Sequence, residues 1–432
     1  MISEKDIKEY QRAVQYLESF NRIPRQYEYM RDRGNPAIYL KRMEYFLKLI
    51  GNPQKGFKYV HVSGTAGKGS VSTMIHDSMV NAGKNAGLVT SPFVTTTIEK
   101  TKVGGKYISP ADFIRILDSI KPAIDKAYTS SPFGGPSYFE TLLAISLVYF
   151  KEQKCEWIVL EVGCGGRFDY TNVTGPRTIS VITNIGLDHV ELIGPTLSDI
   201  AYEKAGIIKK DGVFLTTEKR PELREIFQKE CQIQNAECVF LEYSGGYRSA
   251  NNALVSSVGR LVGIDDSHVQ RALDNYKLPC RFEIVETAPT VILDGAHNNE
   301  KIKSTIENLQ KLDYKKCILV FACGSDKDAK GMLKKLLPHV SEVIITRATT
   351  SPKSVSNPKL LYDYVKKNKK SAKLFIDPFQ ALEYARKKAG EKSAEKSGEK
   401  NCVLVTGSFF LSGELRTIWY PEEYILNNRK SF

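Results

Sequence analysis

Apolar residues recur at three- and four-residue spacing through EYQRAVQYLESF and IYLKRMEYFLKLIG. That is the period of one helical face, so the first stretch of about 60 residues is predicted to be mostly helix, with Gly51 and Pro53 ending the second. From about residue 57 the period changes. Short apolar runs (FKYVHVSG, NAGLVTS, EWIVLEVG, TISVITNIG, CVFLEY) alternate with amphipathic helical patterns. Such alternation predicts a mainly parallel sheet covered by helices. A second series begins near residue 287 with APTVILDGAHNN and continues through KKCILVFACGS, SEVIITRA, SAKLFID and NCVLVTGS. The pattern predicts an α/β protein in two parts. Residues 1–286 form an N-terminal P-loop-type domain with a mainly parallel sheet, and residues 287–432 a smaller C-terminal Rossmann-like α/β domain. The polar, near-repetitive KKAGEKSAEKSGEK (387–400) reads as a solvated loop before the last strand.

Composition narrows the function classes. The 432 residues exceed one compact core. The start, MISEKDIKEYQRAV, lacks the apolar core of a signal peptide, and no apolar run has the roughly 20 residues needed to cross a bilayer. The eight cysteines are scattered without a CxxC pair, as expected of reduced thiols in a cytoplasmic protein. The net charge of +13 is spread along the chain rather than gathered in an aromatic-flanked block. It reads as a general basic surface, and neither nucleic acid nor membrane is expected as a partner.

The first candidate chemistry is HVSGTAGKGSV (61–71). A phosphate loop of the form GxxxxGK[ST] places its hydroxyl directly after the lysine; here Gly69 separates Lys68 from Ser70. The loop still follows an apolar strand and precedes a helical pattern, so it can aim backbone N–H groups and a helix dipole at an anion. Gly64, Thr65, Ala66, Gly67, Lys68, Gly69 and Ser70 are therefore candidate nucleotide-binding residues. In SYFETLLAISLVYF, Glu140 has two readings: the partner of Ser137 in a capping box, or a magnesium ligand at a helix N-terminus. Asp188 and His189 follow a strand end, where α/β sheets gather their ligands. In the helix after Pro195, Lys204 shares the stripe of Leu197, Ile200 and Ala201, whereas Glu203 faces away. An inward lysine needs a partner or a chemical change, unless its head snorkels outward.

Taken in order, HVSGTAGKGSV, TSPF, YFETLLA, EVGCGGRFDYTN, ITNIGLDHVELIGPTLSDIAYEKAGIIK, LPCRFE and DGAHNN resemble the folylpolyglutamate synthase/dihydrofolate synthase family of the Mur ligase superfamily, from residue 51 to residue 416. The resemblance implies an ATP-dependent ligase. ATP would phosphorylate the carboxylate of dihydropteroate or a folate, and the amino group of L-glutamate would displace the phosphate to form an amide. It also implies site residues. Ser70 and Glu140 would share one Mg2+, and His189 would bind a second. Lys204 would be carbamylated by CO2, turning an ammonium into an oxygen anion suited to magnesium. Asn252 and Arg281 match residues on the nucleotide phosphates. Asp294 and His297 match second-domain residues brought to the ATP and the reacting groups; with Lys204 and His189 they form the implied catalytic set. The partners would be small molecules only, and the protein a monomer.

The chain departs from the family pattern in places. Ala66 stands where asparagine is usual, and Cys280 replaces the glycine before Arg281. The loop SPFVTTTIEKTKVGGKYIS (91–109) lacks much of the usual arginine. Two alternatives remain: a Mur-type amide ligase acting on a non-folate acid, or a non-ligase P-loop ATPase. Peptidoglycan ligases carry a further domain of roughly 100 residues ahead of the phosphate loop, a domain-sized unit. About 60 mostly helical residues stand there here, which disfavours that version; DGAHN and Lys204 disfavour the ATPase.

Overall fold

All ten apolar runs become strands in the computed structural model, which describes residues 2–23, 36–188, 190–350, 354–390 and 401–432. The first sheet holds β1 (Lys58–Ser63), β2 (Ala86–Val89), β3 (Thr101–Val103), β4 (Lys106–Tyr107), β5 (Trp157–Glu161), β6 (Ile179–Ile182), β7 (Val213–Thr216) and β8 (Glu237–Phe240). Its order is β4-β3-β2-β5-β1-β6-β7-β8, and β2 through β8 in that order run parallel. Only β3 is reversed: it pairs antiparallel with β2 on one side and with β4 on the other, the latter through a hairpin turned at Gly104 with φ 56. The second sheet holds β9 (Glu283–Thr287), β10 (Thr290–Leu293), β11 (Cys317–Phe321), β12 (Glu342–Ile345), β13 (Ser371–Leu374) and β14 (Cys402–Thr406), in the order β13-β12-β11-β14-β10-β9. It is parallel except for β9 against β10.

The central strands of the first sheet are mostly apolar and almost wholly buried because both faces are covered. Successive residues of β5 point to opposite sides. Ile158 and Leu160 join Phe46, Phe113 and Phe150, under the helices Glu4–Ser19, Ala37–Leu49, Pro110–Ser130 and Tyr138–Glu152. Val159 joins Val60, Val62, Val71, Ile75 and Leu254 on the other face, under the helices Lys68–Asn81 and Tyr247–Leu261. The N-terminal helices thus belong to the core of the first sheet, through Tyr10, Leu17, Phe46 and Leu47.

The chain forms two compact units. One comprises residues 1–93, 97–276 and 423–430; the other comprises 94–96, 277–422 and 431–432. The expected loop at 387–400 is in part helix, because Pro378–Gly390 continues through its first four residues; 391–400 lie outside the described residues. Among the described residues no helix is long and apolar enough to cross a membrane.

Candidate active site

Three neighbouring strands of the first sheet end together. The register pairs Val62 with Glu161 and Ser63 with Ile182, so the turns leaving β1, β5 and β6 meet at one edge. This is where open parallel sheets take ligands.

The turn after β1 is fixed from below by residues leaving β6. Thr65 Oγ1 donates to Gly186 O at 2.9 Å and accepts from Gly186 N at 3.0 Å. Ala66 N donates to Asn184 Oδ1 at 2.8 Å, and Thr183 Oγ1 donates to Ala66 O at 2.6 Å. Gly64 has φ 146, and a Cβ there would collide with Thr183 Oγ1. Gly64→Ala combines a strained backbone angle with a steric clash. It is expected to lower the thermal midpoint and to abolish nucleotide binding; unchanged melting and ATP titration curves would contradict this placement. Gly67 has φ 81 and precedes the helix Lys68–Asn81, which no side chain caps. A Cβ at Gly67 would lie 3.1 Å from Asn251 Oδ1. The result is a backbone cradle at an uncapped helix N-terminus, the arrangement that binds phosphate.

Two ammonium groups converge on this turn. Lys68 Nζ donates to Gly64 O at 3.0 Å, and Lys204 Nζ donates to the same oxygen at 3.2 Å. Lys204 is only 4 % exposed, as its place on the apolar stripe predicts. Burial first, and then the Lys68 charge, pull its pKa down from 10.5 to about 8. The segment EVGCGGRFDYTN positions it. Arg167 N donates to Glu203 O at 2.7 Å, and Asn172 Nδ2 ties Arg167 O to Gly206 O at 2.9 and 3.0 Å. A Cβ at Gly166 would press on Lys204 O at 3.0 Å, so that glycine permits the close approach. Cys164 is a structural thiol, with burial raising its pKa to about 11.

The carboxylate beside the turn is Glu161, which the sequence reading missed. It is 5 % exposed, accepts from Ser91 N at 2.8 Å, and its Oε2 would stand 3.4 Å from a Cβ on Gly69. Glu140, by contrast, forms the capping box with Ser137 and a buried ion pair with Arg42 Nε at 2.9 Å. Both of its oxygens are engaged there, so the geometry supports the cap and gives the metal reading no support. Ser70 Oγ accepts from Tyr276 OH at 2.7 Å. Asn252 is half-buried, and it is the preceding residue, Asn251, that faces Gly67. His189 lies outside the described residues.

In the second unit, Asp294 leaves β10 and braces the backbone around it. Oδ2 accepts from Phe282 N at 2.8 Å, and Oδ1 accepts from Ala296 N at 3.0 Å and Thr305 Oγ1 at 2.8 Å. His297 Nδ1 faces Gly295 O at 2.8 Å, which places the proton on Nδ1; Nε2 then accepts from Lys301 Nζ at 2.9 Å. Arg281 lies over the Phe409 ring at 4.7 Å. Cys280 has φ 54, a region that glycine enters without strain, which accounts for the glycine usual before this arginine.

Among the described residues no three His, Cys, Asp or Glu side chains cluster to hold a metal unaided. Magnesium commonly needs only one or two carboxylates when substrate phosphates supply the rest, and Glu161 beside the phosphate turn fits that pattern.

The sequence pattern of the Mur ligase middle domain matches residues 62–261, and that of the Mur ligase glutamate ligase domain matches residues 280–409. The chain is 30% identical to the dihydrofolate synthase/folylpolyglutamate synthase of Bacillus subtilis, over 87% of this chain and 94% of that one. It is 26% identical to the dihydrofolate synthetase of Saccharomyces cerevisiae, over 88% and 97%. Among solved structures, Mycobacterium tuberculosis folylpolyglutamate synthase complexed with ADP and AMPPCP superposes with a TM-score of 0.84 at 25% identity, over 96% and 99% of the two chains.

Proposed function

The chain belongs to the dihydrofolate synthase/folylpolyglutamate synthase family of Mur-type ligases, and from that premise we propose how its residues carry the reaction. The protein joins the carboxylate of a pteroate or folate to the amino group of L-glutamate at the expense of ATP. A carboxylate oxygen takes the terminal phosphoryl group, giving an acyl phosphate and ADP. The glutamate nitrogen attacks the carbonyl carbon, and the tetrahedral intermediate collapses with loss of phosphate and of a proton from nitrogen. Such chemistry asks the protein mainly for positioning and charge stabilisation.

The observation that carries this reading is the convergence of Lys68 and Lys204 on Gly64 O, at the head of a glycine turn. The turn Gly64–Ser70 cradles the phosphates and Lys68 offsets their charge. Asn251 and its neighbour Asn252 border the turn. Glu161 and Ser70, with His189 as read from the sequence, would hold magnesium, which offsets negative charge on the phosphates when bound. Asp294 and His297 shape the loop leaving β10, next to Arg281. The Lys204 amine adds to CO2, forming an N–C bond and releasing a proton, so that a carbamate replaces the ammonium. The protein is read as a cytoplasmic monomer whose partners are small molecules.

ADP release with glutamate and either dihydropteroate or tetrahydrofolate tests the proposal. Stimulation is expected with at least one acid, and the product mass identifies which activity is present. Stimulation by a non-folate acid alone would transfer the site to another Mur-type ligase reaction.

A further inference from the structure

Lys100, in the segment 97–109 of the first unit, takes no part in the reaction as proposed. It ends the short helical turn Thr97–Lys100 ahead of β3 and is 6 % exposed. Its Nζ stands 4.7 Å from the ring centre of Phe139, 5.4 Å from Tyr138 and 5.8 Å from Phe93. Among the described residues no hydrogen-bond acceptor serves this ammonium, although it carries three donors. The neighbouring carboxylate that acts on it is Glu161, the residue beside the phosphate turn. Aromatic faces attract a cation but take up none of its hydrogen bonds. Phe139 is 45 % exposed and bounds the enclosure on its solvent side.

We propose that Lys100 is the carboxylate-binding residue of the acid substrate, its ammonium receiving the reacting carboxylate within the enclosure of Phe93, Tyr138 and Phe139. The phosphates are already served by the backbone of the turn and by Lys68. The Lys100 enclosure differs from the turn in offering a single cation between apolar walls, which suits one carboxylate group rather than a chain of phosphates. It lies beside Glu161, so a carboxylate held there is adjacent to the phosphoryl donor. This inference rests on the ligase reading.

The test compares Lys100→Met, Lys100→Gln and Lys100→Arg with the natural enzyme under saturating ATP and glutamate. Loss of a charge-assisted hydrogen bond is expected to raise the KM for the pteroate or folate roughly 10- to 100-fold. The KM values for ATP and glutamate should stay unchanged, and Lys100→Arg should retain most of the affinity. If Lys100→Met does not fold, Lys100→Gln keeps the polar volume and gives the same reading. An unchanged acid KM in a folded variant overturns the proposal. So does a parallel rise for acid and ATP, or a shift confined to magnesium dependence, which would make Lys100 only a counter-ion to Glu161. A natural enzyme that uses neither acid overturns the ligase reading itself, whereas an active enzyme with an indifferent Lys100 overturns only this assignment.

Discussion

Lys204→Met is expected to lower ligation by roughly 10²–10³-fold, the scale of losing one preorganised charged group from an active site, while leaving the protein at least as stable. The stability half follows from linkage. In the fold the ammonium is buried and its pKa falls from 10.5 to about 8. Between those values the unfolded chain binds more protons than the folded one, so the contribution of this group to stability rises with pH through that window. Below about 8 the full cost of holding the charge is present, and methionine removes it. Activity and melting temperature should therefore move apart, whereas a lysine needed only for packing would make both fall. The depressed pKa also suits the amine to the proposed reaction with CO2, since only a neutral amine adds to it. At pH ~7.5 roughly a quarter of such a group is neutral, against about one part in a thousand for an ordinary lysine. Intact mass after equilibration with bicarbonate should show the addition of one CO2, increasing from pH ~7 to ~9. No added mass across that range would remove the carbamate from the proposal.

Glu140→Ala is expected to lower stability by about 3–5 kcal/mol, because it strands the Arg42 charge in the core and removes the carboxylate half of the capping box, the acceptor of Ser137 N. Arg42 and Glu140 are 5% and 2% exposed in their side chains, and their contact crosses 98 residues of sequence. Since whole domains are stable by only 5–15 kcal/mol, the variant should unfold at markedly lower urea. Replacing both partners with apolar residues should recover much of the loss. The magnesium dependence of residual ligation should stay with the natural enzyme, while Glu161→Gln should shift it to higher metal concentration. Denaturant midpoints and magnesium titrations of the two variants separate these roles.

The same two glutamates show where the sequence stops being legible. The capping box of Glu140 is local, S-x-x-E, and could be read directly; its ion pair with Arg42 depends on a helix 98 residues away. Glu161 closes an apolar run and has no local signature. Its place beside Gly69 comes from the parallel pairing of β1 with β5, which no short window contains. Lys204 was visible because helical periodicity alone put it on an inward stripe. The strands missed were those with weak patterns: the lysine-bearing edge hairpin β3–β4, the four-residue β7, and β9, whose EIVET has only two apolar residues, side by side between glutamates. Asn251 and Asn252 are adjacent on one helix, and only the fold distinguishes which of them meets Gly67.

Ala66 shows how the turn can vary without losing its shape. Its backbone amide is held by Asn184, a residue 118 positions later in the chain. Side-chain identity at position 66 is thereby uncoupled from turn geometry, whereas a change at 184 would act on the turn from beneath. The two positions should leave different marks on a lineage. Position 66 should be open to drift, while position 184 should be held together with Thr183 and Gly64. A designer altering the proposed phosphate turn can vary the first and should leave the second alone.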